Sequence, residues 1–299
     1  MENDLIVTVP KEFSFRENIN YLARSTNECM FEILDEKVTK AFSFGNDILL
    51  IEVSENPNSH LRIRFIGHSN PVSESVINEV VHYVRDWFDL DTNLAPFYDM
   101  AEKDILLQQP VQKFYGLRTL GIPDLFEALC WGILGQQINL SYAYTLKRRL
   151  VESFGSSIEH QGKRYWIFPT PEDIARLTVE DLSELRMTIK KCEYLIDVAQ
   201  LMVEGKLTKE LLKKTEDFQT AEKMLTSIRG IGPWTANYVL MRCLRFPNAF
   251  PIADVGLHNA LRLLLGTDEK PTKAEILELS APWKNWEAYA TFYLWRLLY

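Results

Sequence analysis

The spacing of hydrophobic positions changes near residue 70. Before it, Leu5–Val9, Met30–Leu34, Asp47–Val53 and Leu61–Ile66 are short runs rich in Ile, Val, Leu and Phe. Turn-forming clusters such as Gly45-Asn46-Asp47 and Asn56-Pro57-Asn58 separate them. Runs of this length with such boundaries predict antiparallel strands, with one helix inserted near Phe15–Ala23. From Ser73 onward the period lengthens. Ile77, Val80, Val81, Val84 and Phe88 fall at i, i+3, i+4, i+7 and i+11, the stripe of an amphipathic helix.

The remainder predicts helix almost throughout. Phe126, Leu129, Cys130, Ile133 and Leu134 make one stripe, with Asp124 placed to cap it. Leu146, Leu150, Val151 and Phe154 make another, closed by Gly155. Thr170-Pro171-Glu172 is a cap followed by a helix-starting proline. Cys192, Leu195, Ile196 and Ala199 mark a helix that ends near Gly205. There is no sustained repeat. The expected fold class is α+β: a small antiparallel-sheet α+β domain over 1–95, then a mostly α-helical region over 96–299.

Residues 220–245 carry a hairpin of helices. Met224, Leu225 and Ile228 face one way on a short helix that Thr220 is placed to cap. Gly230-Ile231-Gly232 follows. Pro233 then suits the first turn of a second helix, whose stripe is Ala236, Val239, Leu240, Cys243 and Leu244. Glycines allow positive φ and close approach of another backbone. The first N–H groups of a helix carry the positive end of its dipole, so the turn is suited to an anion without any lysine. An ordinary αα-hairpin fits the same residues. Further on, Asp254 immediately precedes a helix with apolar Leu257, Ala260, Leu261, Leu264 and Leu265, ended by Gly266. It reads as an N-cap. An N-cap carboxylate is also a fixed anion, which a developing glycosyl cation needs beside it.

Composition adds constraints. The 299 residues are 46% hydrophobic and 25% charged, ordinary for a soluble globular chain able to bury a sizeable core. The net charge of −8 counts against a generally basic nucleic-acid surface, so any DNA contact must use local features. Lys147-Arg148-Arg149, Lys163-Arg164, Lys190-Lys191, and Arg242 with Arg245 are local basic clusters whose plainer reading is a solvated helix face. Cys29, Cys130, Cys192 and Cys243 lack metal or CxxC spacing and read as buried thiols of a reducing, cytoplasmic compartment. Met1–Pro10 lacks the pattern of a signal peptide, and no apolar run is long enough for a membrane span.

Leu225-x-x-Ile228-x-Gly230-Ile231-Gly232-Pro233-Trp234-Thr235-Ala236-Asn237-Tyr238 resembles the hairpin of the helix-hairpin-helix DNA glycosylases. Asp254 stands where that superfamily has its aspartate. The nearest branch is the bacterial 3-methyladenine DNA glycosylase II type. Ile133-Leu134-Gly135-Gln136-Gln137-Ile138, Gly116-Leu117-Arg118, and Pro282-Trp283 through Trp295 resemble that branch as well.

The resemblance implies a glycosylase region of two packed helical subdomains. It makes Asp254 catalytic and lines a base pocket with Trp234, Tyr238 and Trp295. Gln136, Gln137, Gly230, Ile231, Gly232 and Thr235 would contact DNA, with Gln137 as the wedge that fills the gap left by a flipped nucleotide. The implied reaction is hydrolysis of the N-glycosidic bond of alkylated purines, 3-methyladenine and 7-methylguanine, with hypoxanthine a further candidate. The substrate would be double-stranded DNA containing damaged bases. A monomer is expected, without membrane, metal or organic cofactor, and with at most a monovalent cation on the hairpin carbonyls. Use at the bacterial nucleoid is expected. Backbone-cutting relatives carry a lysine where this chain has Trp234, so no Schiff base is expected there. No cysteine follows Cys243, so the iron–sulfur cluster of other relatives is not expected. The alternatives are a bifunctional oxidised-purine glycosylase/lyase and a non-catalytic helix-hairpin-helix DNA-binding protein. The several C-terminal aromatics, Trp283, Trp286 and Tyr299 among them, are expected to be partly plain core.

Overall fold

The computed structural model describes residues 4–45, 47–67, 72–215 and 217–299. Asn46, at the centre of the expected Gly45–Asp47 turn, lies outside the described residues. The chain forms two compact units, each assembled from separated segments. The first comprises Met1–Lys11, Leu22–Arg85 and Leu129–Leu207, and the second Glu12–Tyr21, Asp86–Ala128 and Thr208–Tyr299.

The first unit holds a five-stranded antiparallel sheet. Its strands run, edge to edge, Leu5–Val7, Leu61–Ile66, Asp47–Glu55, Lys37–Phe44 and Glu32–Leu34. Leu49, Leu50, Ile51 and Val53 are all buried, so the central strand is covered on both faces. Lys37–Phe44, paired with its neighbour in the register Ala41 opposite Leu50, is a strand that the hydrophobic pattern does not predict. Lys40 hides it. This lysine is 5% exposed, donates to the carbonyl of Met30 at 3.3 Å, and lies over the rings of Phe42 and Tyr83.

The stretch between Gly155 and Thr170, for which the sequence pattern names no element, is a strand pair within the largely helical remainder. Ser156–His160 and Lys163–Ile167 form an antiparallel hairpin, turned by Gln161 and Gly162 at φ 51° and 75°. Two positive φ values in succession match the twist of a tight two-residue hairpin. The surrounding helices follow the sequence more closely. Leu140–Phe154 is capped by Asn139 and closed by Gly155. The Thr170 cap forms a full capping box with Asp173.

Two of the basic residues expected on solvated faces are buried in this unit. Lys147 lies 3.2 Å from the Glu28 carboxylate. Burial is the largest influence on Glu28 and pushes its carboxyl up. The charge of Lys147 and the N–H groups of Met30 and Cys29 outweigh it, leaving the carboxyl below the ordinary range. Lys191 donates to the carbonyl of Leu134 at 2.7 Å, and burial lowers its ammonium from the usual lysine value. Cys130, Cys192 and Cys243 are buried free thiols, whereas Cys29 is only half-buried.

The second unit is helical. Its core gathers Phe97, Trp283, Phe292 and Tyr293, so much of the aromatic C-terminus is packing. The buried polar tips find partners: Trp283 Nε1 donates to Asp104 at 2.8 Å and Tyr293 Oη to the Leu117 carbonyl at 2.9 Å. Arg118, wholly buried, donates to the carbonyls of Asp89 and Thr92. Among the described residues, no helix is long and apolar enough to cross a membrane.

Candidate active site

The helix hairpin belongs to the second unit. Its first helix, Phe218–Thr226, is capped by Asp217, which accepts from the Thr220 N–H at 2.8 Å. The expected cap, Thr220, is thus one turn inside. Its second helix, Pro233–Arg242, begins with proline at its first position and Gly232 at the cap. The two glycines of the turn differ. Gly230 has φ 89°, in the left-handed region that favours glycine. Gly232 is extended (φ −86°, ψ 175°), is exposed, and a Cβ built on it would meet nothing within 4 Å. Its missing side chain therefore serves no internal packing. Ile231 and Thr235 are 3% and 2% exposed, so their side chains anchor the turn from inside.

Asp254 caps the helix Val255–Leu265, its Oδ1 accepting from the Leu257 N–H at 2.8 Å. Two indoles also reach it. Trp295 Nε1 donates to Oδ1 at 2.7 Å, and Trp234 Nε1 donates to Oδ2 at 2.8 Å. One carboxylate thus gathers donors from its own helix, the second hairpin helix and the C-terminal helix Glu287–Arg296. Among the described residues no lysine or arginine pairs with it. A carboxylate has about four lone-pair directions; three are occupied and one, on Oδ2, is open to a further partner. The packing is close. A Cβ on Gly256 would lie 2.9 Å from Asp254 Oδ1 and 3.1 Å from Trp295 Cδ1.

The same indoles belong to an aromatic stack. Tyr238 lies nearly parallel to Trp234 (centroids 5.6 Å, 28°) and to Trp295 (6.1 Å, 31°). Trp234 is half-buried, while Tyr238 and Trp295 are 4% and 6% exposed. The structure therefore brings Asp254, Trp234, Tyr238 and Trp295 together. Sequence reasoning missed the two indole–carboxylate bonds, which join positions 20 and 41 residues apart. It also missed Arg242, which belongs to no solvated face: it is 4% exposed and donates to the Tyr238 hydroxyl at 2.9 Å.

Gln136 and Gln137 belong to the first unit, at the end of the helix Leu125–Leu134. Gln137 is exposed and has φ 57°, a conformation that a glutamine rarely adopts. The turn is tied from two sides. Lys191 holds the Leu134 carbonyl before it, and Asn139 accepts from the Tyr142 N–H after it at 2.9 Å.

Comparison with known proteins bears on this arrangement. The family model described as HhH-GPD superfamily base excision DNA repair protein matches residues 130–285. A protein of Bacillus subtilis (strain 168) named DNA-3-methyladenine glycosylase is 56% identical across 99% of this chain and 98% of its own length. The chain belongs to the HhH-GPD superfamily. The model of the 8-oxoguanine DNA glycosylase N-terminal domain matches residues 14–129. DNA-3-methyladenine glycosylase 2 of Escherichia coli (strain K12) is 32% identical over 60% of each chain. Among solved structures, the 3-methyladenine DNA-glycosylase from Archaeoglobus fulgidus superposes with a TM-score of 0.84 at 22% identity, covering 97% of both chains. An 8-oxoguanine glycosylase/lyase of Clostridium acetobutylicum, in complex with double-stranded DNA, superposes at 0.75 with 20% identity over 99% of this chain and 98% of that one. At such identities these two structures speak for the HhH-GPD fold alone.

Proposed function

We propose that this chain is a monofunctional DNA glycosylase that hydrolyses the N-glycosidic bond of alkylated purines in duplex DNA, with Asp254 as its catalytic carboxylate. The observation that carries the reading is Asp254 itself: an aspartate without a cationic partner among the described residues, held by three N–H donors at the edge of a stack of three aromatic rings. A structural cap needs only the Leu257 N–H. Two further indole donors fix the carboxylate in a single orientation. The names of the 56% identical Bacillus subtilis protein and of its Escherichia coli relative agree with alkylated-base excision.

The target base leaves the helical stack at a cost of a few kcal/mol, less when damage weakens its pairing. Trp234, Tyr238 and Trp295 receive it. Their faces attract an alkylated, electron-poor ring by roughly 0.5–2 kcal/mol each. The bond between the sugar C1′ and the base nitrogen then breaks, its electron pair leaving with the base. Positive charge develops on the sugar, and Asp254 stabilises it electrostatically. The open lone pair on Oδ2 orients the water that adds to C1′, and the carboxylate accepts its proton.

The Gly230–Thr235 turn approaches a phosphate through its backbone, which explains why Gly232 is bare where nothing internal requires it. Gln137, exposed and held in a strained conformation, is the wedge. The protein acts as a monomer in the cytoplasm, on chromosomal DNA.

A glycosylase/lyase reading is disfavoured by Trp234, which stands at the lysine position and whose Nε1–H is committed to Asp254. The test is a panel of lesion-containing duplexes. Free base should be released from methylated DNA, strands should break only after alkali, and borohydride should trap no covalent adduct. Release of no base from any lesion would refute the reading, and a borohydride adduct mapping to one lysine would refute its monofunctional part.

A further inference from the structure

A buried cation lies against the aromatic stack. Arg242, in the last turn of the second hairpin helix, donates from Nη1 to Tyr238 Oη at 2.9 Å and from Nε to the Leu120 carbonyl. Its guanidinium carbon is 5.4 Å from the Tyr238 ring centroid, 5.2 Å from that of Phe292 and 6.0 Å from that of Tyr21. Among the described residues no carboxylate pairs with it. Arg245, three positions on, is by contrast 3.0 Å from Asp86. A carbonyl, a phenol and three ring faces solvate the charge of Arg242 without neutralising it. In surroundings poor in water its field reaches further than that of a surface arginine. The stack is thus bracketed: Asp254 at the indole edges of Trp234 and Trp295, Arg242 beside Tyr238.

We propose that Arg242 sets how this site weighs neutral against positively charged bases, and that it favours the neutral ones. The proposal rests on the reading of Trp234, Tyr238 and Trp295 as the face that receives the extruded base. When the glycosidic bond breaks heterolytically, the electron pair goes to the base nitrogen. A neutral purine therefore leaves as an anion, which takes a proton from solvent. A purine alkylated at a ring nitrogen is cationic in the duplex and leaves neutral. The charge of Arg242 stabilises the departing anion and repels the cation before it reacts. Both effects move the ratio of the two efficiencies in one direction, by the effect of one unit of charge. Ring faces alone would favour cations; Arg242 offsets that bias and widens the range of bases handled. It acts across Tyr238 without touching the base, so it determines specificity and is not a catalytic residue.

The experiment compares the wild type with Arg242→Gln and Arg242→Lys. It uses two duplexes of the same sequence, one carrying 7-methylguanine (cationic) and one hypoxanthine (neutral). Single-turnover rate divided by half-saturating enzyme concentration is read for each, and thermal melting checks the fold. In Arg242→Gln the cationic-to-neutral ratio should rise roughly five- to thirtyfold, the effect of one charge at ~8–10 Å in an effective dielectric near 20, less some screening. Arg242→Lys, which keeps the charge, should hold the ratio within about twofold. If Arg242→Gln fails to fold, Arg242→Met, with an apolar stem that fills the same space, carries the comparison. A merely structural role would lower both efficiencies by the same factor, and an unchanged ratio overturns the proposal. So does a wild type that releases 7-methylguanine but no hypoxanthine. A wild type that releases neither base overturns the glycosylase reading itself, and this proposal with it.

Discussion

Replacing Asp254 with asparagine separates charge from shape, and the structure shows how cleanly. Asparagine can keep its oxygen at the Oδ1 position, where the Leu257 and Trp295 N–H groups converge. The cap then survives, since asparagine caps helices about as well as aspartate. Its NH2 must occupy the Oδ2 position, 2.8 Å from Trp234 Nε1. Two donors then face each other, and the half-buried indole loses its acceptor, at a cost of about 1 kcal/mol. The loss of charge weighs more. A full charge ~4 Å from a developing cation is worth about 4 kcal/mol at an effective dielectric near 20; with half the charge developed, about 2 kcal/mol remains, roughly 30-fold in rate. Loss of the proton acceptor adds to this, so release of a neutral base should fall roughly 100-fold or more. A cationic base leaves more readily unaided, and its loss should be smaller. The assay is single-turnover release of hypoxanthine, 3-methyladenine and 7-methylguanine, with affinity for an abasic-site duplex measured alongside. Trp234→Phe is the control that removes the orphaned donor while leaving the carboxylate. Affinity should persist in Asp254→Asn. Release of hypoxanthine at near wild-type rate would show that Asp254 is a helix cap and nothing more.

Three further outcomes follow from positions with distinct local physics. Gly232→Val should melt with wild type within about 2 °C, because a Cβ there meets nothing within 4 Å, yet bind an abasic-site duplex at least tenfold more weakly; equal affinity would remove the turn from the DNA contact. Gly256→Ala should lower single-turnover release about tenfold or more with little loss of abasic-site affinity, because the new methyl displaces the carboxylate or Trp295; full activity would show that the carboxylate needs no such fixing. Glu28 has a folded pKa below its unfolded one, so its ion pair with Lys147 contributes stability above the ordinary glutamate range that is lost as pH falls below about 4. Glu28→Gln should therefore cost roughly 3 kcal/mol near pH 7, because Lys147 stays buried without this carboxylate's charge, and should show a flatter acid limb; parallel denaturation curves from pH 7 to 3 would refute the assignment.

What the sequence made legible is local. The cap at Asp254, the proline start at Pro233, the Gly155 and Gly266 helix ends and the strand Leu61–Ile66 depend on neighbours within a few positions, and they stand where expected. What was hidden depends on distant partners. The strand Lys37–Phe44 carries a lysine that is buried only because Met30 offers a carbonyl and Phe42 and Tyr83 offer ring faces. Basic pairs suggest solvent, yet Lys147, Lys191 and Arg242 are buried against Glu28, the Leu134 carbonyl and an aromatic cluster. The hairpin Ser156–Ile167 had one available signal, Gln161-Gly162, a turn-prone pair followed by the β-favouring run Tyr165-Trp166-Ile167. The family resemblance grouped Trp234 and Trp295 with Asp254, but no pattern along the chain shows that both indoles donate to its carboxylate, because those bonds are set by how three helices pack.

The three donors on Asp254 also make the protein its own reporter. The Leu257 amide and the indole protons of Trp234 and Trp295 end on one carboxylate, so each senses its charge and its neighbours. A base analogue or an abasic sugar seated beside Asp254 would shift the nuclear magnetic resonance signals of all three protons in concert, whereas an event elsewhere in the protein would move them independently. Occupancy of the site could then be followed in solution without a label and without waiting for turnover.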